Sequence, residues 1–185
     1  MKFLKLFSLI MILFSNSCHT SRVAIASKYK QKITSSFAND MKNDHDYGMY
    51  AYGGLIRENI ELFTMYFETQ KKVTLDESRM LILNCVEELL NRINSNEKIR
   101  PYLSVYPFTS DGLVLDLLFR DFYGNIISDG QISTVYLLNG KIFYETYDQQ
   151  TKRYIDVQEE SYQDALKIVK EQKHQVQSTP ALSDG

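Results

Sequence analysis

Residues 132–147 read ISTVYLLNGKIFYETY, two runs rich in strand-forming residues on either side of Asn139-Gly140. A two-residue type I′ turn needs positive φ at both central positions, which asparagine tolerates and glycine adopts freely, so the stretch predicts a tight β-hairpin. Once the turn is set, the register follows. Val135 and Leu137 share a face with Ile142 and Tyr144, while Tyr136, Leu138 and Phe143 gather on the other face with Thr134 and Glu145.

Working outward, residues 113–120 alternate in the same way. Leu113, Leu115, Leu117 and Phe119 line one face, and Asp116 and Arg120 fall on the other beside Val114 and Leu118. Tyr123-Gly124-Asn125 and Asp129-Gly130 are turn signals between this strand and the hairpin. Further upstream, residues 60–69 place Phe63, Met65 and Phe67 on one face with Glu61 and Thr69 flanking them, which predicts another strand. Between these strands Thr74-Leu75-Asp76-Glu77 has the capping-box spacing that starts a helix. Ile82, Cys85, Val86, Leu89, Leu90 and Ile93 form its apolar stripe, Arg79, Glu87 and Arg92 lie off it, and Asn94-Ser95-Asn96 supplies a stop before Pro101. Tyr52-Gly53-Gly54-Leu55 reads as a turn ahead of the first strand. Downstream, a short strand at 153–157 leads to a helix at 159–173. There Tyr162, Ala165, Leu166 and Val169 repeat at helical spacing, with Glu159 and Glu160 in the first turn and Lys170 and Lys173 near the end, as the helix dipole favours. The order strand, helix, strands, helix predicts a single α+β domain, a mostly antiparallel sheet of four or five strands with two main helices packed on one face.

The ends of the chain read differently. Lys2 and Lys5 precede an apolar run at 6–14, nine residues with Ser8 as the interruption. A helix needs roughly 20 apolar residues to span a bilayer, so the pattern is that of a removable export signal. Three processing readings stand. Ser15-Asn16-Ser17 offers small residues at −3 and −1 before Cys18; the same stretch resembles a bacterial lipobox, in which the cysteine receives a lipid; and Ala24-Ile25-Ala26 is a better small-x-small match placed far beyond the apolar run. Only two cysteines exist, and Cys85 sits in an apolar helix stripe, so lipidation of Cys18 accounts for both better than a disulfide does. Residues 1–17 are then a signal, 18–47 a polar tether or short amphipathic helix with Ile33, Phe37 and Met41 at four-residue intervals, 48–173 the globular domain and 174–185 a flexible tail.

Chemistry is sparse. Net charge is −2, which gives no electrostatic case for nucleic acid. The helix–three strands–helix order is similar to that of double-stranded-RNA-binding domains in order alone, since Glu159 and Glu160 stand where such domains grip phosphate with lysine. His45, between Asp44 and Asp46, reads as a solvated turn rather than a metal ligand, and neither a phosphate loop nor a Gly-x-Ser-x-Gly elbow occurs, so no catalytic residue, cofactor or metal is expected. Thirteen tyrosines and ten phenylalanines remain as the clue. Tyr102, Tyr106 and Phe108, around Pro101 and Pro107, are the candidate binding surface, with Tyr123, Tyr136, Tyr144, Tyr147 and Tyr154 as further contributors. The expectation is an exported envelope protein, lipid-anchored at Cys18 in the periplasm or on the outer membrane, of binding or structural type, with an envelope protein partner or self-association. The alternatives are a soluble secreted form and a small envelope hydrolase.

Overall fold

The computed structural model describes residues 2–128 and 130–178, with side chains from Arg22 to Gln172. Asp129, half of the expected Asp129-Gly130 turn, and residues 179–185 of the expected tail lie outside the described residues. So does the side chain of Cys18, whose backbone falls within the first helix.

Among the described residues there are three α-helices, α1 (Lys2–His45), α2 (Leu75–Ser95) and α3 (Tyr162–Ser178). Six strands accompany them: β1 (Gly48–Ile56), β2 (Ile60–Thr69), β3 (Leu113–Phe119), β4 (Thr134–Leu138), β5 (Lys141–Asp148) and β6 (Arg153–Ser161). The strands form one sheet in chain order, β1 to β6. Every neighbouring pair is antiparallel except β2 and β3, which run parallel because α2 carries the chain back across the sheet between them. The protein is thus a single α+β domain, with six strands where the sequence pattern suggests four or five, and with the long helix α1 where it suggests a tether or a short amphipathic helix.

The alternation read from the sequence sets which face is covered. Phe63, Met65, Phe67, Leu113, Leu115, Leu117, Phe119, Val135, Leu137, Ile142 and Tyr144 are all inaccessible to solvent. Against them pack Phe37 and Met41 of α1, Ile82, Val86, Leu89 and Ile93 of α2, and Ala165 of α3. Burying each of these larger side chains contributes about 1.5–3 kcal/mol, so this layer is the main source of stability. Ile33, Phe37 and Met41 do share one buried stripe, and Ala26, Lys30, Thr34 and Ala38 extend it, so the packed core begins well before Gly48. Phe37 meets Phe67 edge to face, ring centres 5.8 Å apart. The helix stops where Asp46 turns to φ 59 and the Tyr47 amide donates back to the Met41 carbonyl at 3.0 Å. Among the described residues no helix is long and apolar enough to cross a membrane.

The hairpin forms as its dipeptide dictates: Asn139 and Gly140 take φ 50 and 71, and Val135 pairs with Tyr144, Leu137 with Ile142. The capping box is complete, with the Thr74 amide donating to Glu77 at 2.8 Å and the Glu77 amide donating to the Thr74 hydroxyl at 3.3 Å.

Three readings need correction. Tyr52-Gly53-Gly54-Leu55 is no turn but the body of β1, an edge strand with register shifts after Met49 and after Leu55. Glycine is required there because a side chain on Gly54, at φ +137, would meet the Leu62 carbonyl oxygen at 2.0 Å and the Lys30 ammonium at 2.7 Å. That ammonium donates to the Gly53 carbonyl. Arg79 does not lie off the buried stripe of α2: it is 3% exposed and ion-paired to Glu160. Glu159 and Glu160 do not open a helix, because β6 runs through both, and α3 begins at Tyr162 with the Ser161 hydroxyl accepting from the Asp164 amide at 3.0 Å. Strand pairing outbids the favourable helix-dipole placement of these acids, since ladder bonds to β5 satisfy the backbone while Arg79 and Lys141 satisfy the side chains.

Candidate binding face

The residues singled out around the prolines do not form a patch. Phe108 is 2% exposed, edge to face with Phe63 at 5.5 Å, and Asn94 holds it in place, accepting from its amide at 2.7 Å and donating to its carbonyl at 3.0 Å. Tyr102 lies under α1, its ring 5.8 Å from Tyr29 and 5.0 Å from the Arg22 guanidinium. Tyr106 alone faces outward, beneath Arg100. Tyr144 belongs to the core.

The remaining tyrosines meet elsewhere. Alternation that puts one set of side chains under the helices puts the other on the opposite face of the sheet. Across the central strands the register sets Tyr66, Asp116, Tyr136 and Phe143 side by side, and one pair further along it sets Thr134 against Glu145 and Glu145 against Asp156. Tyr136 stacks on Phe143 at 5.0 Å and 15°, and its hydroxyl donates to Glu145 at 2.9 Å. Tyr50, thrown out of register by the shift after Met49, lies 6.0 Å from Tyr66, and Tyr147 meets Tyr154 at 5.1 Å. Tyr50 and Tyr154 remain 52% and 42% exposed.

Charge ties this face together. Asp116 sits mid-sheet, accepting from the Thr134 hydroxyl at 2.7 Å. Burial pushes its carboxyl up to about 6; the Thr134 hydrogen bond opposes the rise and the charge of Glu145 adds to it. Glu145 is also raised, first by burial, with the hydrogen bond from Tyr136 working against this and Asp156 adding to it. The Tyr50 phenol is pushed up to about 12 by burial and then by Asp116, Tyr154, Tyr66 and Glu68. Tyr154 is raised by burial and by the same Asp116. Strands β1 and β6 are opposite edges of the sheet, and Asp116 on β3 is among the causes that raise the phenols of both Tyr50 and Tyr154.

One loop extends the face. Arg120, at the end of β3, pairs with Glu68 at 2.7 Å and donates to the Gly124 carbonyl at 2.9 Å. The turn beyond it is built on Asp121, whose carboxylate accepts from the amides of Tyr123 and Asn125, both at 2.8 Å, and from the Asn125 side chain at 3.0 Å. The tip it holds carries Phe122 and Tyr123, 83% and 86% exposed.

His45 and Cys85, the side chains on which nucleophilic chemistry would first be sought, stand apart. His45 is exposed at the end of α1, whereas Cys85 is buried, 3.8 Å from the Met41 sulfur, its thiol pushed up to about 12 by burial and by Glu88. Among the described residues no group of three or more His, Cys, Asp or Glu side chains has the geometry to hold a metal ion. Comparison with protein-family models, with curated proteins and with solved structures gave no match.

Proposed function

We propose that the chain is an exported, lipid-anchored envelope protein of binding type, and that the open face of its sheet is the surface that works. The observation that carries this reading is the contrast in cover. The helices pack over one face of the sheet, while the other presents Tyr50, Tyr66, Tyr136, Phe143 and Tyr154, with Phe122 and Tyr123 at the rim. Tyrosine and phenylalanine bring large contact area at small entropic cost, which is why they dominate protein interfaces. Large aromatics left on a surface in one connected group mark an interaction site, whereas scattered ones do not. The export half of the reading rests on Lys2, Lys5, the apolar run at 6–14 and Cys18.

Two experiments test it. Cys18→Ala should lower the mass of the mature chain by the lipid and release it from the membrane fraction; an unchanged mass and partition would remove the anchor. Cross-linking pull-down from membranes should recover a partner with the parent chain and lose it with Tyr50→Ser plus Tyr154→Ser. Equal recovery by both would remove the open face from the proposal.

A further inference from the structure

Resting on that reading, we infer that the open face recognises a cationic segment of a partner protein, seating a lysine or arginine side chain among Asp116, Glu145 and the surrounding tyrosines. The fold leaves charge on this face unmatched. Among the described residues, the ion pairs reaching this face lie toward its ends, Glu68 with Arg120 and Lys141 with Glu159. Between them Asp116 accepts from the Thr134 hydroxyl and Glu145 from the Tyr136 hydroxyl, and among the described residues no cation lies within ion-pair distance of Asp116, Glu145 or Asp156. Glu145 and Asp156 stand directly opposite one another on adjacent strands, an arrangement that costs stability when both are charged. Asp116 is mid-sheet and half-buried, so water screens its charge less than that of an exposed carboxylate. A covered face can bury such charges only by pairing them, and this face is not covered.

The rings decide what kind of cation fits. A bare divalent ion needs several oxygen ligands converging on one point. No such cluster exists among the described residues. An ammonium or guanidinium group donates charge-assisted hydrogen bonds to carboxylates and lies favourably over tyrosine rings; Tyr66 and Tyr136 flank Asp116 in register, Tyr50 lies beside Tyr66, and Tyr154 stands on the strand that carries Asp156. Phe122 and Tyr123 at the rim would give the flanking part of such a segment apolar contact. A second copy of this chain laid face to face would bring carboxylate against carboxylate, so charge complementarity favours a different, basic partner.

The test uses the full-length chain in neutral detergent, titrated with fluorescein-labelled hexalysine at low salt and pH 7.5, with hexaglutamate as control. The parent should bind hexalysine and not hexaglutamate. Asp116→Asn with Glu145→Gln should weaken that binding tenfold or more, while Glu87→Gln with Glu97→Gln, on the α2 side, should leave it unchanged. Circular dichroism and melting confirm that each variant is folded. Equal binding by parent and face variant, equal loss in the α2-side variant, or equal binding of hexaglutamate would each overturn the cation. If that happens while Tyr50→Ser plus Tyr154→Ser still abolishes capture of envelope partners, the face stands and its charge preference falls. If capture also survives, both fall.

Discussion

The two faces of the sheet treat charge in opposite ways. On the covered face Glu160 is buried with Arg79 at 2.7 Å, the Tyr144 hydroxyl donates to the same carboxylate, Gln158 donates to its other oxygen at 3.2 Å, and Asp76 takes the outer end of the guanidinium. The Arg79 guanidinium and the Glu160 carboxylate are thus paired within the chain. On the open face Asp116 has a single hydroxyl donor and Glu145 faces Asp156 across the ladder. One sheet therefore carries a charge network closed within the chain and a charge group that the chain leaves open. The difference separates residues that serve folding from residues free to serve recognition, and substitutions on the two faces should move stability in opposite directions.

The largest effect belongs to the closed network. Glu160→Ala leaves the Arg79 guanidinium, whose side chain is 4% exposed, without its buried counter-charge, and such losses destabilise by about 3–5 kcal/mol. Urea unfolding should show this as a lower midpoint at unchanged slope. A loss under about 1 kcal/mol would mean that Asp76 alone can hold the arginine and that Glu160 is not needed to pair it.

The opposite sign is expected at Asp116. Its carboxyl is raised from 3.8 to about 6 in the folded chain, a cost of about 3 kcal/mol once it is ionised. The folded state binds the extra proton between these values, so the cost is absent below about pH 4, grows from there to pH 6 and is complete above. Asp116→Asn removes the charge and keeps an acceptor for Thr134. It should stabilise the protein at pH 7.5, by up to about 3 kcal/mol, and do nothing at pH 4. The groups facing Asp116, namely Glu68 with Arg120, Tyr50, Tyr66, Tyr136, Glu145, Asp156 and Tyr154, are left in place by this change. Destabilisation by Asp116→Asn at pH 7.5 would place Asp116 among the folding residues and dissolve the contrast.

How much of this contrast the sequence carries differs from element to element. The hairpin at Asn139-Gly140, the alternation of β2 and β3 and the capping box at Thr74 are legible because each depends on neighbours within a few residues. Strand β1 is not, since its glycines, its register shifts and its place at the edge remove the alternation by which a strand is recognised. Arg79 and Glu160 are 81 residues apart, and nothing local tells a buried ion pair from two solvated charges. Around Pro101 and Pro107 three aromatics cluster in sequence without sharing a surface. The sheet instead assembles its aromatics from several strands, one residue in two, and only the strand order brings them together.

A smaller loss is expected at the turn. Gly140→Val forces a β-branched residue to φ +71 and puts its Cβ 2.3 Å from the Asp111 carboxylate, a side chain that can move. The backbone strain is about 1–3 kcal/mol, and it should lower the melting temperature without touching hexalysine binding, because the turn lies at the Lys141 end of the hairpin rather than beside Asp116. Loss of binding with retained fold would show that the open face depends on this turn for its shape.

The smallest effect on stability and the sharpest on recognition should come from Phe122→Ser with Tyr123→Ser. The two rings touch each other at 5.6 Å and little else, and most of their surface is in solvent. Removing them should change unfolding free energy by no more than about 0.5 kcal/mol, as for other surface sites without special geometry. Their loop is nevertheless held in one shape by Asp121, so the rings are presented at no further ordering cost to a partner. Membrane pull-down should therefore fail with this variant, the same outcome expected for Tyr50→Ser plus Tyr154→Ser. Asp121→Ala, which keeps both rings but frees the turn, should weaken capture without abolishing it. Should the double serine variant instead lose more than 1 kcal/mol of stability, the tip would be packing against the domain, and the rim of the open face would belong with the covered one.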